Sequence, residues 1–202
     1  MAQTPPDFLF AVKASRYLTH VKRLNDLGPG LDRFYACIEP LLESAKMGPI
    51  LWQLPPTFRR DDDRLRTALE RLSHTAQRHC FEFRHPSWFA DEVYGLLREH
   101  GAALVIGDRP EVKPFQAHVF TADWTFVRFH YGSRGRRGNY SERELEEWVA
   151  RVEELAASAR EVHAVMNNCY RDFAVVNAAQ LARLLGGEAV GAPEQQTLWL
   201  ET

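Results

Sequence analysis

The sequence predicts an α/β protein of parallel strands with outer helices, arranged in about six βα units. Three observations carry this expectation. Strand-like and helix-like segments alternate along the chain. Nearly every strand is apolar early and polar late, so its polar side chain falls near its C-terminal end. No shift in composition divides the 202 residues, a length that one sizeable core can organise. A single domain over 1–202 is therefore expected, with an irregular tail over 188–202.

The elements follow in order. FLFAVKAS (8–15) reads as a strand. Residues 31–45 carry Leu31, Phe34, Tyr35, Ile38, Leu41 and Leu42 at helical spacing, and Pro40 is expected to kink or restart that helix. ILWQL (50–54) is the second strand, stopped by Pro55 and Pro56. A helix starts near Asp62 with Leu65, Leu69, Leu72 and Ala76 on one face, and Asp61 to Asp63 lie where acidic groups favour a helix start. CFEFRH (80–85) is the third strand, followed by a short helix turning Val93, Leu96 and Leu97 inward. AALVIGD (102–108) and TFVRFHY (125–131) are the fourth and fifth strands. Ser141 and Glu144 form a capping box for the next helix, whose buried stripe includes Leu145, Trp148, Val152 and Leu155. EVHAVMNN (161–168) is the sixth strand, and a last helix runs to Leu185 before Gly186 and Gly187. Both an open doubly wound sheet and an eight-stranded barrel fit this alternation, although six units are too few to close a barrel of eight.

Composition narrows the classes. A formal net charge of -2 disfavours a dedicated nucleic-acid surface while allowing a local basic patch. No apolar run is long enough to span a bilayer, and MAQTPPDF lacks the features of a signal peptide. Cys37, Cys80 and Cys169 are scattered, which fits buried thiols in a reducing cytoplasm. No cofactor is expected. Glu82, Asp108, His130 and His20 are the conceivable metal ligands, but they follow no metal-binding spacing and have basic neighbours, so no metal is expected.

Period-two alternation sorts the polar groups by face. Phe81 and Phe83 share one face of the third strand, leaving Glu82 and Arg84 on the other. Arg128 and His130 alternate with Val127 and Phe129, and Lys13 alternates with Val12. Gln53, Asp108, Asn167 and Asn168 sit at or near strand ends. In parallel α/β folds ligands bind at the carboxyl ends of the strands, so these groups are expected to share one mouth. Glu82 and His130 are candidate proton-transfer groups, and Lys13 is a candidate desolvated lysine. Arg84 and Arg128 are candidate anion clamps, with Gln53, Asp108 and Asn168 as further ligand contacts. Each has a plainer reading as an ion pair or a hydrogen-bonded structural group. Trp88 could stack on a base or sugar, or could cover the core. Arg134, Arg136 and Arg137 lie in a Gly-rich loop suited to phosphate, or simply to solvent.

KASRYLTH (13–20), LWQLPPTF (51–58), FEFRHPSWF (81–89), VRFHYG (127–132) and MNNCYRDFAVVNAAQL (166–181) resemble the YecE-like family, also called domain of unknown function 72. The motifs keep the family's order and cover nearly the whole chain. The resemblance implies a TIM-barrel-like fold, and a likeness in shape to endonuclease-IV-like barrels is an analogy of fold only. Family members usually begin with a Gly-Thr-Ser-Gly-Trp-like strand, then a strand bearing a Glu-Ile-Asn-Ser-like motif. Neither is present here, so the chain is expected to lack the first two βα units and to expose two parallel sheet edges open to self-association.

The leading functional expectation is a small anionic or phosphorylated ligand held at the mouth, with acid–base chemistry there as an extension. Phosphodiester binding or cleavage is the alternative, and a non-catalytic incomplete domain is the third reading.

Overall fold

The computed structural model describes residues 4–108, 119–130 and 138–187. The loop arginines 134, 136 and 137 and the tail over 188–202 lie outside the described residues. Six strands form one sheet in sequence order with every neighbouring pair parallel. They are β1 (Phe10–Lys13), β2 (Met47–Gln53), β3 (His79–Glu82), β4 (Ala103–Gly107), β5 (Trp124–Phe129) and β6 (Glu161–Met166). The described α-helices are α1 (Gly28–Leu42), α2 (Asp62–Leu72), α3 (Asp91–Glu99), α4 (Glu142–Ser158) and α5 (Phe173–Leu184). The sheet curls into a half-barrel with helices between its strands, a TIM-barrel-like arrangement.

Alternation gives the sheet two apolar faces. On the outer face Trp52, Phe81, Phe83 and Leu104 pack with Leu65, Leu69, Val93 and Leu97 of the helices. Further along, Ile106, Val127 and Phe129 pack with Leu145, Trp148 and Leu181. On the inner face Leu51, Cys80, Ala103, Val105, Trp124 and Phe126 form a smaller cluster low in the half-barrel. The inner positions above that cluster are polar.

Local signals account for the element ends. The Asp61 side chain caps α2 by accepting from the Arg64 backbone N–H at 3.1 Å. The capping box of α4 is complete: Ser141 accepts from the Glu144 backbone, and the Glu144 carboxylate accepts from the Ser141 N–H at 2.8 Å. Gly186 ends the last helical segment with φ +76°, where a side chain would be strained.

The structure departs from the sequence reading at one helix and adds one turn. The helix expected over 31–45 begins earlier and runs unbroken from Gly28 to Leu42. Pro29 suits its first turn, and Pro40 falls in its last turn, where few downstream hydrogen bonds depend on it. A π turn, Tyr17–Val21, follows β1 and buries Leu18 and Thr19, and no spacing in the sequence announced it.

Candidate functional site

The inner faces of five of the six strands deliver polar side chains to the same rim. Leu51 and Cys80 belong to the inner cluster, so Gln53 and Glu82, two residues further on, project inward above it. Phe126 is inner as well, which places Arg128 and then His130 on that side. Val12 packs against the outer core, so Lys13 faces in.

Glu82 is the centre of the group and is fully buried. Its Oε1 accepts from Arg84 Nε at 2.7 Å, and its Oε2 accepts from Arg128 Nη1. His130 Nε2 lies 3.4 Å from Oε1, the outer limit of hydrogen bonding. The Gln53 carbonyl oxygen accepts from both Lys13 Nζ at 2.9 Å and Arg128 Nη1 at 3.1 Å. Arg128 Nη2 donates to Asn167 Oδ1, and the Asn167 amide nitrogen sits 3.2 Å from His130 Nδ1. Five of the six strands, or the residues just past them, thus meet through one hydrogen-bonded network.

The electrostatics follow from that packing. Burial pushes the Glu82 carboxyl up, but the His130 contact and the Arg128 and Arg84 guanidinium groups outweigh it and hold it well below the usual carboxylate range. Burial lowers Lys13, Arg128, Arg84 and Arg16 lower it further, and Glu82 opposes them in part. Burial also lowers His130, although Glu82 favours its charged form. His20, on the π turn, is lowered by burial and by Arg16, Lys13 and Arg84, so this turn borders the same basic rim. The Glu82 oxygens are directed at cations and an imidazole, which leaves this carboxylate poorly placed to ligate a metal. Among the described residues no three His, Cys, Asp or Glu side chains converge as metal ligands.

A family model described as "Protein of unknown function DUF72" matches residues 1–198. The chain belongs to the DUF72 family. The UPF0759 protein YunF of Bacillus subtilis is similar at 26% identity, over 98% of this chain and 80% of that protein. The crystal structure of a DUF72 family protein from Thermotoga maritima matches with a TM-score of 0.80 and 33% identity, over 92% of this chain and 76% of that one. A DUF72 family protein from Enterococcus faecalis matches with a TM-score of 0.75 at 23% identity, over 91% of this chain and 80% of that one, a likeness of fold.

Not every residue singled out in the sequence reaches the DUF72 rim. Asp108 follows the outer-facing parity of Ile106. One of its oxygens accepts from the His130 backbone N–H at 2.8 Å and the other from the Tyr140 hydroxyl. It anchors the end of β5 from behind. Asn168 also turns outward, donating to Gly138 O at 2.7 Å and to Asn177 Oδ1 at 2.8 Å. Asn177, within α5, accepts from the Tyr140 N–H. Trp88 is fully buried, stacked on Phe83 at 4.8 Å, and donates from Nε1 to Phe58 O at 2.7 Å. It covers the outer core and presents no face at the rim. His85 caps the 3-10 turn Pro86–Trp88 by accepting from the Ser87 N–H. Arg136 lies outside the described residues.

Asn167 is the residue that the choice of Asn168 passed over. Strand parity was the available signal. Val165 packs on the inner cluster and Met166 on the outer one, so 167 returns inward and 168 outward.

Proposed function

We propose that the rim binds a small anionic or phosphorylated ligand, with Lys13 and Arg84 as the groups that touch it. One observation supports this reading above the others: among the described residues, Arg84 and Arg128 both donate to the carboxylate of Glu82, and Lys13 stands close enough to feel all three charges. Cations gathered at a partly desolvated rim repel one another, and an anion placed beside them offsets that cost. Arg128 is turned to Glu82, Gln53 and Asn167, with its side chain only 7% exposed. Arg84 is more open at 16%, and Lys13 lies on the exposed side of β1. Proton transfer at this rim would fall to Lys13 or His130, since Glu82 is held ionised between two guanidinium groups. All three cysteines are free, which suits a reducing cytoplasm as the setting, but only Cys80 is buried; Cys37 and Cys169 are exposed, against the expectation of buried thiols.

Titration calorimetry with inorganic phosphate, a sugar phosphate and the matching neutral sugar tests this. Binding of the two anions alone is expected, weakened tenfold or more (about 1.4 kcal/mol) by Lys13→Ala and by Arg84→Ala. No heat with either anion, or unchanged affinity in both variants, overturns it. The phosphodiester alternative loses its stacking residue, because Trp88 is buried.

A second reading concerns assembly. No described strand pairs with the outer edge of β1 or of β6. Phe8 and Leu9, just before β1, are 43% and 44% exposed. We infer that these edges support self-association.

A further inference from the structure

We propose that Asn167 is a positioning residue that holds His130 as the neutral tautomer protonated at Nε2. The argument is one of donors and acceptors. Arg128 is a donor only, so the Asn167 atom facing its Nη2 must be the carbonyl oxygen. The amide nitrogen is thereby committed to the other side, where it lies 3.2 Å from His130 Nδ1. An amide nitrogen only donates, so Nδ1 must present its lone pair. The ring proton is then on Nε2, the atom that faces Glu82 Oε1. The orientation of Asn167 is thus fixed by the guanidinium group of Arg128, two residues before His130 on the same face of β5.

This changes what His130 can do. A second proton would have to go onto Nδ1, against the amide N–H groups of Asn167. Glu82 from β3 favours the charged ring, while burial and the cations Arg128 and Arg84 oppose it. Asp108, past β4, engages the His130 backbone N–H. His130 therefore serves the rim as a hydrogen-bond donor through Nε2 and not as a base at Nδ1. The Nε2 proton faces Glu82, and general-base work at this rim is left to Lys13. The inference bears on the site proposed above, but the tautomer is read without ligand. Its failure and the failure of anion binding are therefore distinguishable.

Nitrogen-15 spectra of the imidazole rings in ligand-free protein at pH 7 test it directly. His130 is expected to show an unprotonated, pyridine-like Nδ1 and a protonated, pyrrole-like Nε2. Asn167→Asp keeps an acceptor for Arg128 but replaces the amide donor by a carboxylate. It is expected to raise the apparent His130 pKa by about one unit or more, with both nitrogens protonated at lower pH. Asn167→Leu is expected to leave a mixture of tautomers. A ring protonated at Nδ1 in the native protein overturns the proposal, as does an Asn167→Asp titration identical to the native one. Should either variant fail to fold, the native spectrum still decides the tautomer.

Discussion

At the scale of single residues, His79 shows how burial converts a titratable side chain into a structural one. Its Nδ1 accepts from Trp52 Nε1 at 3.1 Å, and its Nε2 reaches Thr75 Oγ1 at 3.0 Å. Burial lowers its pKa from 6.5 to about 4. The folded state therefore resists a proton that the unfolded chain accepts. The resulting stability, about 3 kcal/mol in all, is fully present above pH 6.5 and is lost as pH falls towards 4. Urea unfolding should show the protein weaker at pH 5 than at pH 7, with about 2 kcal/mol of the difference due to this group. In His79→Gln that difference should shrink by the same amount, and an unchanged pH dependence in the variant would count against the assignment. The candidate site was legible at the same scale wherever period-two parity could be counted from an apolar neighbour. Lys13, Gln53, Glu82, Arg84, Arg128 and His130 all turn to the side that parity gives them. Asp108 and Asn168 were misplaced because proximity to a strand end was weighed above parity.

At the scale of elements, the ends of helices were easier to read than the ends of strands. Caps are local chemistry, whereas the last paired residue of a strand depends on its neighbour. The capping box of α4 illustrates the first case. Ser141→Ala should cost about 1 kcal/mol and lower the melting temperature by about 2–4 °C. Calorimetry checks this, and an unchanged midpoint would show that solvent replaces the cap without loss. The strand expected over 8–15 illustrates the second case. Only Phe10–Lys13 pairs, in a register that shifts between Phe10 and Val12. Gly48 of β2 approaches so closely that a Cβ there would lie 3.0 Å from Phe10 O. The π turn after β1 escaped notice because its five residues, YLTHV, carry no helical stripe.

At the scale of the whole molecule, the six described strands form a half-barrel with two edges that no described strand pairs, unlike a closed barrel. Light scattering on a size-exclusion column should give a mass that rises with concentration, and Phe8→Lys should suppress the rise by placing charge beside the β1 edge. A monomer mass at every concentration would remove the case for edge pairing. The order of residues determined the α/β class, the six units, the inward parity of the polar side chains and the family, because alternation and capping are written in short windows of sequence. Which of those side chains touch was decided only by tertiary structure. Curling the sheet brings Glu82 to Arg128 across 46 positions and Asn167 to His130 across 37. A hydrogen bond requires groups to meet within about 3 Å, and a separation along the chain carries no information about that distance until the strands have taken their places around the barrel.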